Sequence, residues 1–213
     1  MDKFTKLYLK KSWPLYVLVA LVATVASSIL VDTFSGVLKT ERVNVFIAGE
    51  KEGSIKDLQD YATNNRPSYL KEVNIDNYLT TSSYFEIYYS VQGFQNSDIL
   101  LLPVSTFNNS QSISYITQYC LDLNEEVINN RFGNNFEYYQ IELNYTISSY
   151  GLKVYDHETN SGILKNALTN IINSNDDYYA FFNKSSSHLL SFDSSLRDDG
   201  ILDVMEVLSN YAL

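Results

Sequence analysis

One cysteine, Cys120, stands in 213 residues, so no internal disulfide can form and the fold must hold by its core alone. A free cysteine inside the helical stretch 111–130 reads as a buried small apolar side chain, with an intermolecular disulfide or a reactive thiol as the alternatives. The only histidines are His157 and His188, too few for a His-rich metal centre, and no metal or other cofactor is expected. Phosphate-cradling loops are missing: GEKEGS at 49–54 lacks both the spacing and the Lys-Ser/Thr ending. No serine sits in a nucleophile-elbow pattern, and Ser185, Ser186 and Ser187 form a plain run. The chain is therefore not expected to be an enzyme.

Positive charge is scarce as well. Lys and Arg number 15 against 25 Asp and Glu, for a net −10. Lys3, Lys6, Lys10 and Lys11 against Asp2 make the first 31 residues +3, which leaves −13 on residues 32–213. Phosphate backbones need clustered Lys and Arg, so nucleic acid is excluded as an expected partner.

What is present begins with an uncharged run, SWPLYVLVALVATVASSILV at 12–31. As a helix it would cover the roughly 30 Å hydrocarbon core, with Trp13 and Tyr16 at interface depth. Four lysines precede it, so the sequence predicts a cytoplasmic tail (1–11), a transmembrane helix (12–31) in contact with lipid, a linker (32–42) and an extracellular domain (43–213) of a cell-membrane protein. Removal of the run as a signal peptide is the competing reading, with Val25-Ala26-Ser27 a mediocre cleavage site.

Within the domain, VNVFIAGE at 43–50 reads as a buried strand, 54–65 as a helix, 69–79 as a strand, 80–95 as a helix and DILLLPVS at 98–105 as a third, fully apolar strand. That alternation calls for parallel strands joined by right-handed crossovers. Residues 111–130 read as one helix, 136–147 and 151–156 as strands separated by a Ser-Ser-Tyr-Gly turn, 163–172 as a short helix, DYYAFFN at 177–183 as a strand and 198–213 as a closing helix. The expected fold is α/β, a three-layer sandwich with a mainly parallel sheet.

The order of VNVFIAGE plus a helix, DILLLPVS after two crossovers, and GLKVYD leading to DYYAFFN and a last helix resembles one lobe of the extracellular solute-binding proteins that serve ABC importers. The resemblance covers residues 43–213 as a reduced, single-lobe version. It implies a third parallel strand that presents a ligand-facing turn, a small solute as ligand and a membrane transporter as neighbour. The rival expectation is an envelope assembly protein that uses the domain for protein contacts.

Ligands collect outside the carboxyl ends of parallel strands, which points to Glu50 and Ser54 after the first strand, Ser105 and Thr106 after the third, and Asn183 after DYYAFFN. The plainer roles are a helix cap for Ser54 and a solvated side chain for Glu50. Asp156, His157, Glu158 and Asn160 crowd a turn without the alternate-ligand pattern of a calcium loop, and read as solvated. His188 reads as a half-buried, hydrogen-bonded histidine. Tyr138, Tyr139, Tyr178 and Tyr179 could stack on sugar rings, but paired strand tyrosines more often point to opposite faces.

Overall fold

A computed structural model describes residues 36–51, 53–133, 136–172, 175–188 and 200–212. The chain divides into two compact units, 1–38 and 39–213, and the description below concerns the second. After a single 3-10 turn at Lys39–Glu41 come β1 (Arg42–Gly49), α1 (Lys56–Asn65), β2 (Glu72–Leu79), α2 (Phe85–Tyr88), which runs on as a π-helical stretch to Gln95, and β3 (Ile99–Pro103). Then follow α3 (Val104–Phe107), α4 (Ser110–Tyr119), α5 (Glu125–Phe132), β4 (Tyr138–Leu143), β5 (Thr146–Tyr155), α6 (Lys165–Leu168), β6 (Tyr178–Phe182) and α7 (Gly200–Ser209).

The six strands form one sheet in the order β2-β1-β3-β6-β5-β4. β1 pairs in parallel with β2 and β3, whereas the β3–β6, β6–β5 and β5–β4 pairs are antiparallel. The expected mainly parallel sheet is thus corrected to a mixed, mostly antiparallel one. The physical reason lies in connection geometry: a parallel pair needs a crossover, while β4 and β5 are joined by a two-residue hairpin that forces reversal.

Strand alternation sorts the apolar side chains into two cores. Val43, Val45 and Ile47 of β1 face Leu58 and Ala62 of α1 and the buried stripe of α7 (Ile201, Met205 and Leu208 among it). Phe46 and Ala48 face the other way, with Phe85, Tyr89, Phe94, Phe107 and Ile116. Tyr178 joins the first core and Tyr179 the second, so this pair fills both faces. Each large side chain fully withdrawn from water contributes on the order of 1.5–3 kcal/mol.

The helix expected over 111–130 is two helices. Asn109 caps α4, its side chain accepting the Ser112 N–H at 2.9 Å, and Asn124 caps α5 by accepting from Glu126 (3.1 Å) and Val127 (3.3 Å). Between them the chain is extended, with Leu121 N–H donating to Phe182 O at 2.8 Å and Leu123 N–H to Ser149 O at 2.6 Å. Gly133 ends α5 at φ +67, the left-handed conformation glycine adopts without penalty. Cys120 is buried at the end of α4, and burial pushes its thiol far above the ordinary range although Lys184 opposes this.

The expected transmembrane helix at 12–31 and the basic tail at 1–11 lie outside the described residues. Among the described residues no helix is long and apolar enough to cross a membrane. No α-helix among the described residues exceeds ten residues, a length of about 15 Å against a core of about 30 Å. The single-pass topology, the lipid contact, the cytoplasmic and extracellular sides, and the transporter-linked and envelope-assembly roles built on them therefore have no support in the described structure and are set aside.

Candidate functional site

Because β6 runs against β3, its carboxyl end arrives beside the amino ends of β1 and β3. There Asn183 is buried and makes a bracket. Its N–H donates to Asp98 O at 2.9 Å, its Nδ2 donates to Phe94 O at 2.7 Å, and its Oδ1 accepts from Ser185 N (2.9 Å) and Ser185 Oγ (2.8 Å). Asp98, the residue before β3, accepts the Asn44 N–H through Oδ2 at 2.8 Å and the Ser186 hydroxyl through Oδ1. His188 is buried, with Nε2 2.8 Å from Arg42 O and 3.1 Å from Lys39 O. Two carbonyl acceptors require the hydrogen on Nε2.

These fastenings frame a cleft of about 510 Å³. Its lining includes Lys39, Arg42, Asn44, Asp98 and Ser185–Ser187, and among the described residues contains no aromatic or aliphatic side chain. Among the described residues, Lys39 and Arg42 against Asp98 give the lining a charge of +1, in a domain that is strongly acidic. Lys39 is exposed and makes no ion pair among the described residues. Arg42 has Glu72 at 3.9 Å, at the limit of an ion pair, and most of its guanidinium donors have no partner among the described residues.

The opposite end of the sheet holds the other four residues singled out in the sequence. At β1 the chain is stoppered: Glu50 N and Lys51 N both donate to Ile171 O, at 2.9 and 3.2 Å. Tyr178 Oη donates to Ala48 O at 3.0 Å, and burial, reinforced by the nearby Glu50 carboxylate, pushes the phenol above its usual range. Ser54 Oγ accepts from Lys56 N at 3.3 Å, with Ile55 at the cap position of α1. Ser105 N donates to Asp176 Oδ2 and Thr106 Oγ1 to Pro103 O, each at 2.8 Å. The structure thus separates Asn183 from Glu50, Ser54, Ser105 and Thr106 by the length of the β3–β6 pair.

Compared with family models, curated proteins and solved structures, the chain matches none. The functional reading therefore rests on geometry.

A second polar group lies at the stoppered end. Lys153 Nζ sits 3.1 Å from Glu137, 2.8 Å from Asp156 and 2.7 Å from Asp177. Three carboxylates use all three ammonium donors, so this lysine is a clasp joining the starts of β4 and β6 to the end of β5 and has nothing left to offer a ligand. Burial works against its charge, but the three bonds outweigh it and hold its pKa above the ordinary lysine range. His157, from the turn read as solvated, gives both its N–H (2.9 Å) and Nδ1 (2.6 Å) to Asp177 Oδ1. Among the described residues no Ser, Thr or Cys bonds to His157, so the pair lacks a nucleophile. Nor does any group of three or more His, Cys, Asp or Glu among them have the arrangement of a metal site.

Asp98, Asn44 and Arg42 were missed by reasoning on the sequence because that reasoning looked to strand carboxyl ends. The serine run 185–187 was the visible signal, since three hydroxyls after an apolar strand are hydrogen-bonding groups placed at a sheet end.

Proposed function

We propose that residues 39–213 form a binding domain, not an enzyme, and that it holds a small polar solute in the cleft at the amino ends of β1 and β3. The observation that carries this reading is the cleft itself, about 510 Å³ of polar-lined space within the volume range of small-molecule sites. Its walls are pre-organised: Asn183 and Asp98 between them fix the 183–187 turn through bonds to backbone and hydroxyl groups. Rigid walls lower the ordering cost of binding. The likeness to a solute-binding lobe is part of this proposal, supported by the parallel order β2-β1-β3, with the binding end reversed because β6 is antiparallel.

Thermal unfolding of the full chain tests it. A polyol or hydroxy acid that occupies the cleft raises the melting temperature by an amount that grows with its concentration. Ser187→Trp, which fills the cleft from an exposed position, abolishes the rise while the variant keeps its own cooperative transition. A rise of equal size in the variant contradicts binding there.

A further inference from the structure

We infer that the solute of this cleft is a hydroxyl-rich organic acid carrying a single negative charge. The inference rests on the binding reading above and adds the chemical class.

Three features of the lining point the same way. First, the described residues of the lining carry +1, from Lys39 and Arg42 against Asp98, while residues 32–213 carry −13. One negative charge neutralises the lining, and each further one meets the repulsion of the acidic domain around it. Second, the one carboxylate is already committed. Asp98 takes the Asn44 N–H and the Ser186 hydroxyl on its two oxygens, so its charge is satisfied from within the fold. The cations are not: Arg42 has only Glu72 at 3.9 Å, and Lys39 has no ion-pair partner among the described residues. A guanidinium held only by a long ion pair and an ammonium with none among the described residues, both lining one cleft, suit a carboxylate.

Third, among the described residues no aromatic or aliphatic side chain lines the space. The remaining described groups are hydroxyls and amides; Ser185 Oγ donates to Asn183 Oδ1 and Ser187 Oγ to Lys39 O, so both hydroxyl oxygens keep lone pairs that can accept from a ligand hydroxyl. A ligand that is polar along its whole length loses least on entering such a site, because each buried hydroxyl must find a partner. An acyclic polyhydroxy acid has that character, and a flat-faced or alkyl-bearing acid does not.

Three probes share one six-carbon polyol chain and differ in a single end group: gluconate (carboxylate), sorbitol (hydroxymethyl) and glucamine (aminomethyl). Isothermal titration of the full chain should give gluconate an affinity about tenfold or more above sorbitol, with glucamine the weakest. Arg42→Gln should bring gluconate down to the level of sorbitol and leave sorbitol unchanged. Should that variant fail to fold, Lys39→Gln, at an exposed position, should still narrow the gap. Equal affinities for gluconate and sorbitol would overturn the charge assignment and leave the cleft reading standing. Tightest binding of glucamine would overturn it in favour of Asp98 as the recognition group. No binding of any of the three at millimolar concentration would overturn both.

Discussion

Asp98 holds Asn44 across the β1–β3 pair, accepting its backbone N–H at 2.8 Å from just outside the amino end of β3. The same carboxylate takes the Ser186 hydroxyl, so one residue ties the floor of the cleft to its wall. Asp98→Ala leaves a part-buried N–H without its acceptor and should cost about 2–3 kcal/mol, read as a lower urea midpoint at unchanged slope. Asp98→Asn keeps one acceptor oxygen and should cost less.

Gly200 opens α7 directly against His188. A Cβ at this position would lie 2.8 Å from His188 Nδ1 and 3.1 Å from Cγ, closer than packed atoms allow. Gly200→Ala should therefore destabilise by about 1–3 kcal/mol, although alanine is the better helix former. Combining it with His188→Ala removes the obstacle, so the double variant should be more stable than the sum of the two single losses. Simple additivity in that cycle would show that the two side chains do not meet.

Much of the fold was legible where apolar runs are long. VNVFIAGE and DILLLPVS became β1 and β3, paired in parallel through Val45–Ile99 and Ile47–Leu101. The direction of β6 was not legible, because YYAFF is buried on both faces and reads the same in either orientation. That single reversal moved Asn183 to the other end of the sheet from Ser105 and relocated the site. The hairpin turn was misplaced because Gly151 advertises a turn, whereas it lies inside β5 under the ring of Phe181, which a Cβ would meet at 2.8 Å. The split between α4 and α5 was present in Asn124, a cap residue hidden within a continuing apolar period.

The actual turn, Asn144–Tyr145, places both residues at positive φ (+51 and +66), the geometry of a tight hairpin connection that favours Asn-Gly. Tyr145 is 98% exposed and gains nothing from packing in return. Tyr145→Gly should raise stability by about 0.5–1 kcal/mol, the relief of left-handed strain exceeding the added freedom of the unfolded chain. A lower melting temperature in that variant would refute the turn geometry.

The His157–Asp177 pair makes stability depend on pH in two windows. Hydrogen bonding to Asp177 raises the His157 pKa above its ordinary 6.5, with partial burial opposing and the charges of Asp177, Glu158 and Asp156 assisting. A raised cationic pKa adds stability that is complete below pH 6.5 and is lost as pH climbs through the folded value. For Asp177, burial acts upward, but bonds from Lys153 and His157 prevail and lower its pKa below 3.8. Its contribution is present above pH 3.8 and is lost as pH falls through the lowered value. Denaturation across pH should show His157→Gln removing the decline above pH 6.5, and NMR titration should place His157 above 6.5. A histidine titrating at or below 6.5 would contradict the pairing.

The most direct measurement is an amide NMR titration of the full chain with gluconate, because it reports which end of the sheet is occupied. Binding in the cleft should shift the amides of Asn44, Asp98 and Ser185–Ser187 in proportion to occupancy, and leave those of Gly49, Ser54, Ser105 and Thr106 in place. Shifts centred on Gly49 and Ser105, at the end stoppered by Ile171, would contradict the account.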